Sequence, residues 1–66
     1  MGLKPGDVIR LVAPSGRLSR ARHAKRVVLY LIPNMDACCV GRVGDEGTQT
    51  WVTAFRVAMG RWRKTA

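Results

Sequence analysis

Acidic residues are scarce in this chain. Its 66 residues contain four Asp and Glu against twelve Lys and Arg, which gives a formal net charge of +8. The four acids, Asp7, Asp36, Asp45 and Glu46, all fall in segments whose Gly, Pro or Asn content predicts turns. Asp favours turns because its side chain bonds nearby backbone amides. A pair of carboxylates arranged for acid–base catalysis is therefore not expected.

Cysteine and histidine are equally few. Cys38 and Cys39 are adjacent and are the only two cysteines, and His23 is the only histidine. Neighbouring residues of a strand point to opposite faces, so the two thiols cannot staple distant segments. Three ligands are one short of a closed structural zinc site. We expect one buried and one partly exposed thiol in a reducing cytosol, with no metal, disulfide or cofactor. We also predict that the protein is not an enzyme.

Long hydrophobic runs are missing as well. The longest apolar run, Val27 to Ile32, has six residues, whereas a transmembrane helix needs about 20. The first residues lack the apolar stretch of a secretory signal, so we expect a cytoplasmic protein with no membrane partner. A hydrophobic content of 47 % is typical of a folded chain. The length predicts one domain with a thin core, which oligomerisation would support.

Short β-branched and aromatic runs, separated by turn residues, predict an all-β fold. Turns are indicated at 4–7, 33–36 and 44–47 by Pro, Gly, Asn and Asp. Thr53 is interpreted as the cap of a single 3₁₀ turn before the last strand, the alternative being a continuation of the fourth strand. The run 26–32 is apolar on both faces, which favours a central position in the sheet. The predicted strands are 7–13, 26–32, 37–43, 48–52 and a short fifth within 58–63.

Residues 15–32 admit a second interpretation. Leu18, Ala21 and Ala24 recur at a helical spacing of three, which is compatible with a basic amphipathic helix. That stripe is mostly alanine, and the helix would have to absorb the β-branched pair that follows it. We therefore favour a long basic loop over 14–25, followed directly by a strand.

Three segments together resemble a known superfamily. They are LKPGDVIRL at 3–11, GDEG at 44–47 and WVTAFRV at 51–57, and they are similar to SH3-like small β-barrels of the KOW and related prokaryotic types. Such domains often open with a K-x-G-D turn and close with a 3₁₀ turn before the last strand. The resemblance implies a single domain, 1–66, folded as a small SH3-like barrel of four to five strands. The chain departs from it by a ten-residue basic insertion, 17–26, after the first strand.

Positive charge is concentrated in two places, and the first is the predicted loop. Arginine offers a planar fork that grips phosphate through two hydrogen bonds, so several on one loop can follow a nucleic-acid backbone. The alternative is a solvated, mobile loop with no ligand. The candidate residues here are Arg17, Arg20, Arg22, Lys25 and Arg26.

The second concentration is the C-terminal segment 59–66, where Arg61, Trp62, Arg63 and Lys64 follow one another. A Trp between arginines is suited to stacking on an unpaired base while its neighbours bind phosphates. Alternatively, Trp62 plugs the open end of the barrel. The flanking arginines must reach water, which favours exposure of Trp62. The core is expected to contain Trp51, Phe55, Val57, Tyr30, Ile9 and Leu11.

The charge pattern predicts a small nucleic-acid-binding protein that contacts the phosphates of DNA or RNA through both basic segments. The alternative is a basic adaptor or inhibitor, of the phage or mobile-element type, that docks on an acidic protein surface or a nucleoprotein machine. Such a docking protein should expose an apolar patch on strand 26–32 or strand 37–43, which a phosphate binder does not need. Self-association through the doubly apolar strand is compatible with both functions.

Overall fold

The computed structural model describes residues 2–21 and 24–66. Its strands form one five-stranded antiparallel sheet in the order β4-β3-β2-β1-β5, which confirms the all-β prediction. A 3₁₀ turn spans Pro33–Met35, and a short helix, α1, spans Ala54–Ala58. The strands are β1 (Val8–Leu11), β2 (Lys25–Ile32), β3 (Ala37–Arg42), β4 (Asp45–Thr53) and β5 (Trp62–Lys64).

The two edge strands, β4 and β5, do not pair with each other in the part of the chain that the structure describes, so hydrogen bonds do not close the sheet. β2 lies in the middle of the sheet, as its doubly apolar sequence predicts. Within the described ranges, no helix is long and apolar enough to cross a bilayer.

The hydrophobic core lies on one face of the sheet, here called the inner face. Strand alternation brings every second residue to this face. Trp62 and Val57 are partly buried against the core cluster. The cluster consists of Leu3, Ile9, Val28, Cys38, Val40 and Val52.

The turn before β1 forms as its sequence predicts. The backbone amide of Lys4 donates to Oδ2 of Asp7 over 3.0 Å, and the amide of Asp7 donates to the carbonyl of Lys4 over 3.0 Å. Gly6 supplies the positive φ of 93° that the turn requires. These two bonds satisfy Asp7, which is buried, and they fix the start of β1.

The segment after β4 is an α-helix instead of the single 3₁₀ turn that we expected. Thr53 caps it as predicted, since its Oγ1 accepts from the amide of Arg56 over 3.3 Å. α1 contacts both β4 and β5, so it links the two edges of the sheet.

The described part of 15–32 contains no α-helix, in agreement with the loop that we favoured: Ser19 bonds back to β1, and β2 begins at Lys25. The start of the fourth strand differs from the sequence prediction. β4 begins at Asp45, inside the turn predicted at 44–47. Only Val43 and Gly44 separate β3 from β4, and Gly44 adopts a φ of 87°, so a two-residue connection suffices.

Three aromatic residues predicted for the core are exposed instead. Trp51 is 57 % exposed, Phe55 72 % and Tyr30 49 %. Val52 faces the core, so strand alternation turns Trp51 outward. Ile9 is buried as predicted, whereas Leu11 and Val57 are only half-buried.

Candidate nucleic-acid interface

The first half of the basic loop is folded back on the end of β1. Val12 and Leu18 form an isolated antiparallel bridge. The amide of Ala13 donates to the carbonyl of Arg17, and the amide of Ser19 donates to the carbonyl of Leu11, each over 2.8 Å. This part of the loop is therefore a small hairpin that holds the side chains of its basic residues at one end of the sheet.

A side-chain hydrogen bond from Arg10 on β1 holds this hairpin in place. Its Nη1 donates to the carbonyl oxygen of Ser19 over 2.8 Å, and the residue is half-buried. Arg10 lies directly opposite Lys25 on β2 and Arg63 on β5. Like charges placed opposite one another on neighbouring strands destabilise a sheet. An anion bound beside this row of three cations would remove that cost.

An open cavity of about 660 Å³ lies between the hairpin and this row of cations. Four arginines line it, and Gly16, Leu18 and Ser19 supply the rest of the lining. We call it the arginine cavity, and its arginines are Arg10, Arg17, Arg20 and Arg63.

No described carboxylate pairs with an arginine of this cavity. Among the described side chains, the ion pair that forms lies elsewhere, between Lys64 Nζ and Asp7 Oδ2 at 3.6 Å. Arg17, Arg20 and Arg63 are exposed, so their guanidinium groups are free to turn toward a ligand in the cavity. The arrangement fits an anion with several oxygen acceptors, such as a phosphate.

The structure brings together only some of the predicted binding residues. Arg17, Arg20 and Arg63 come from the two separate basic segments and share one cavity. Lys25 lies next to it through its pairing with Arg10. Arg22 lies outside the described residues.

Arg10 is the site residue that the sequence analysis missed. It lies within the strand predicted at 7–13 and outside both basic segments. Its neighbours Ile9 and Leu11 both belong to the inner-face series, so alternation alone would have placed Arg10 on the outer face beside the loop.

Arg26 does not join the arginine cavity. It pairs with Ile9 on β1 and with Arg42 on β3, which places it on the inner face. Burial and the neighbouring charge of Arg42 lower the pKa of the Arg26 guanidinium. Its Nη1 contacts the carbonyl of Lys25 at 3.4 Å.

The C-terminal basic segment is divided between the two faces of the sheet. Trp62 lies opposite Leu11 and packs against the core, so the prediction that it is exposed is wrong. Arg63 points the other way, opposite Arg10. Lys64 pairs with Asp7. Consecutive strand residues face opposite sides, so exposed arginines on both sides of Trp62 do not require Trp62 to be exposed.

A second cavity, of about 580 Å³, contains Arg61 and Trp62. Phe55 and Met59 line it and are exposed, and Arg56 lines it with Arg61. This apolar concavity is thus separate from the arginine cavity. For a docking protein we expected an exposed apolar patch on strand 26–32 or strand 37–43. β2 exposes Tyr30 and Leu31, whereas β3 is buried from Ala37 to Gly41.

Both cysteines are buried, which corrects the expectation of one partly exposed thiol. Burial raises the pKa of Cys38, and the neighbouring Cys39 adds to the increase. Cys39 is on the outer face but is covered, and its Sγ contacts Oε1 of Gln49 at 3.4 Å. Among the described residues, no three His, Cys, Asp or Glu side chains come close enough to hold a metal ion.

No protein-family model matches the chain, and neither a curated protein nor a solved structure shows significant similarity to it.

Proposed function

We propose that this protein binds the phosphates of DNA or RNA in the arginine cavity. The observation that carries the proposal is the convergence of four arginines, from β1, the loop hairpin and β5, on one cavity with no described carboxylate among them. Each guanidinium offers a fork of donors that matches two phosphate oxygens. Contacts of this kind position a nucleic acid without reading its sequence, so low sequence specificity is expected.

The strand order also supports the more specific proposal that this all-β sheet is an SH3-like barrel. β1 to β4 follow one another as an antiparallel meander, and β5 returns to pair with β1. α1 stands before the last strand, where the resemblance to SH3-like barrels implies a 3₁₀ turn. α1 connects β4 to β5 along the chain and contacts both strands. In this arrangement the basic insertion emerges beside β5, where it meets Arg63.

The second candidate function, an adaptor for an acidic protein surface, is favoured by the cavity that contains Phe55 and Met59. Two exposed apolar side chains with arginines beside them suit an acidic, amphipathic segment of a partner. That cavity involves Arg56 and Arg61, and the arginine cavity does not. The two functions can therefore be separated by mutation.

The test uses two triple variants that each remove three exposed arginines. One carries Arg17→Ala, Arg20→Ala and Arg63→Ala, and the charge-matched control carries Arg42→Ala, Arg56→Ala and Arg61→Ala. We call the first the cavity variant and the second the control variant. Fluorescence anisotropy with labelled single-stranded and duplex oligonucleotides measures their affinities. We expect the cavity variant to bind at least tenfold more weakly than the control variant, since it loses direct phosphate contacts.

Equal losses in the two variants would mean that net charge, and not the arginine cavity, determines binding. No binding by the unmodified protein at low salt, together with no nucleic acid after purification without nuclease, would contradict the proposal and favour the adaptor function. Thermal unfolding of both variants controls for damage to the fold.

A further inference from the structure

Two exposed aromatic rings flank a buried thiol on the outer face of the sheet. Tyr30 on β2 pairs with Cys39 on β3, which pairs with Trp51 on β4, so the three residues form one row across the sheet. The rings are about half exposed, 49 % for Tyr30 and 57 % for Trp51, whereas Cys39 is only 1 % exposed. The neighbouring Cys39 thiol raises the pKa of the Tyr30 hydroxyl. We call the row Tyr30–Cys39–Trp51 the aromatic strip.

The aromatic strip and the cations of the arginine cavity lie on the same face. Trp51 and Tyr30 are in register with Cys39, which points away from the core, and Arg10 alternates with the core-facing Ile9. Lys25 and Tyr30 belong to the same strand. They are about 16 Å apart along it, from the usual rise per strand residue.

One row of residues separates the strip from the cations. The next row across the sheet is formed by Val8, Val27, Gly41 and Gln49, in the register of β1 to β4. Gly41 is buried, whereas Val27, on the strand that carries both Tyr30 and Lys25, is only partly buried. A chain with bases on one side and phosphates on the other can therefore reach the aromatic strip and Lys25 together.

We propose that the ligand is single-stranded nucleic acid, whose bases stack on Tyr30 and Trp51 while its phosphates are held by Lys25, Arg10 and Arg63. This inference rests on the proposed function and deepens it. Unpaired bases present their faces to an aromatic ring, whereas the bases of a duplex stack on one another. The charge of the adjacent cations complements a phosphate backbone and would not attract a second copy of this basic chain. Trp62 does not belong to this strip, because it is partly buried on the inner face and lines the other cavity.

The test follows Trp51 as the only tryptophan, in a Trp62→Phe background that keeps an aromatic ring against the core. Oligothymidine and a duplex of the same length are added at the same salt concentration. We expect the single strand to quench Trp51 fluorescence and the duplex to leave it nearly unchanged. In the otherwise unmodified protein, Tyr30→Ala and Trp51→Ala should each weaken single-strand binding by about 5- to 100-fold and leave duplex affinity within about twofold.

Phe55→Ala is the matched control, since Phe55 is an exposed aromatic that lies in the other cavity. It should leave single-strand affinity unchanged. If Tyr30→Ala and Trp51→Ala behave like Phe55→Ala while the cavity variant still loses affinity, the stacking inference is wrong and phosphate binding stands. If the unmodified protein binds neither single strand nor duplex, both proposals fail. A different outcome in sedimentation velocity is that Trp51→Ala converts a dimer of the protein to monomers while single-strand affinity stays intact. In that case the strip is a self-association surface and the inference is again wrong.

Discussion

At the scale of single residues, strand alternation decides which side chains are available to a ligand. Trp51 precedes the core residue Val52, and Trp62 lies opposite Leu11. Alternation places Trp51 and Val52 on opposite faces, but both are apolar, so the sequence alone does not decide which of them faces the core. The orientation of Trp62 depends on the register in which β5 pairs with β1, which the sequence does not give either.

The two tryptophans should therefore differ in their contribution to stability. Trp62→Ala removes a partly buried ring that packs against the core, and we expect the free energy of unfolding to fall by about 2–3 kcal/mol, below the ~3–5 kcal/mol of a fully buried aromatic. Trp51→Ala should change it by about 0.5 kcal/mol or less, as for other exposed positions. Urea denaturation of the two variants measures both values, and a larger loss for Trp51→Ala would contradict the burial described above.

The cysteines should be unreactive in the folded protein. Both are buried, and burial raises the pKa of Cys38, which disfavours the reactive thiolate. A thiol whose pKa is raised by folding stabilises the folded state at pH values below the ordinary thiol pKa. That contribution is lost as the pH rises through the folded-state value. Alkylation with iodoacetamide, followed by mass spectrometry, should label neither thiol in buffer and both in urea. Rapid labelling of Cys38 in the folded protein would contradict this.

At the scale of elements, the sequence predicted the strands better than their connections. The β-branched runs placed β1, β2 and β3 to within a few residues, and Thr53 was identified as a cap. The connections depend on contacts between distant segments, which periodicity does not report. The basic loop is the main example, because its hairpin is held by hydrogen bonds from Ser19 to Leu11 and from Arg10 to Ser19.

The turn of this hairpin can be tested through Gly16, which adopts a φ of 84°. No atom would obstruct a methyl group there, so Gly16→Ala should cost about 1 kcal/mol of stability through backbone strain alone. Because Arg17 follows the turn directly, the same change should weaken oligonucleotide binding. Gly47→Ala is the control: Gly47 lacks a positive φ, and its new methyl group would meet only Asp45 Oδ1 at 3.6 Å. Urea denaturation and anisotropy check the pair, and equal effects of both changes would rule out this role for the turn.

At the scale of the whole molecule, the central feature is the distribution of twelve basic residues. The sequence showed two clusters but could not show that they meet. Their meeting requires β5 to pair with β1 beside the loop, so that Arg63 comes opposite Arg10. Strand alternation turns Arg26 and Lys64 away from the cavity, although Arg26 follows Lys25 and Lys64 follows Arg63 in the sequence.

The salt dependence of binding tests this account most directly. Each phosphate that a cation neutralises contributes about 0.7 (single strand) to 0.9 (duplex) to the slope of log K against log salt. If Arg17, Arg20 and Arg63 each hold a phosphate, the cavity variant should show a slope shallower than that of the unmodified protein by about 2–3. The control variant, which loses the same number of charges, should change the slope by less than about 1. Slopes that fall equally in both variants would show that the arginine cavity is not the binding site.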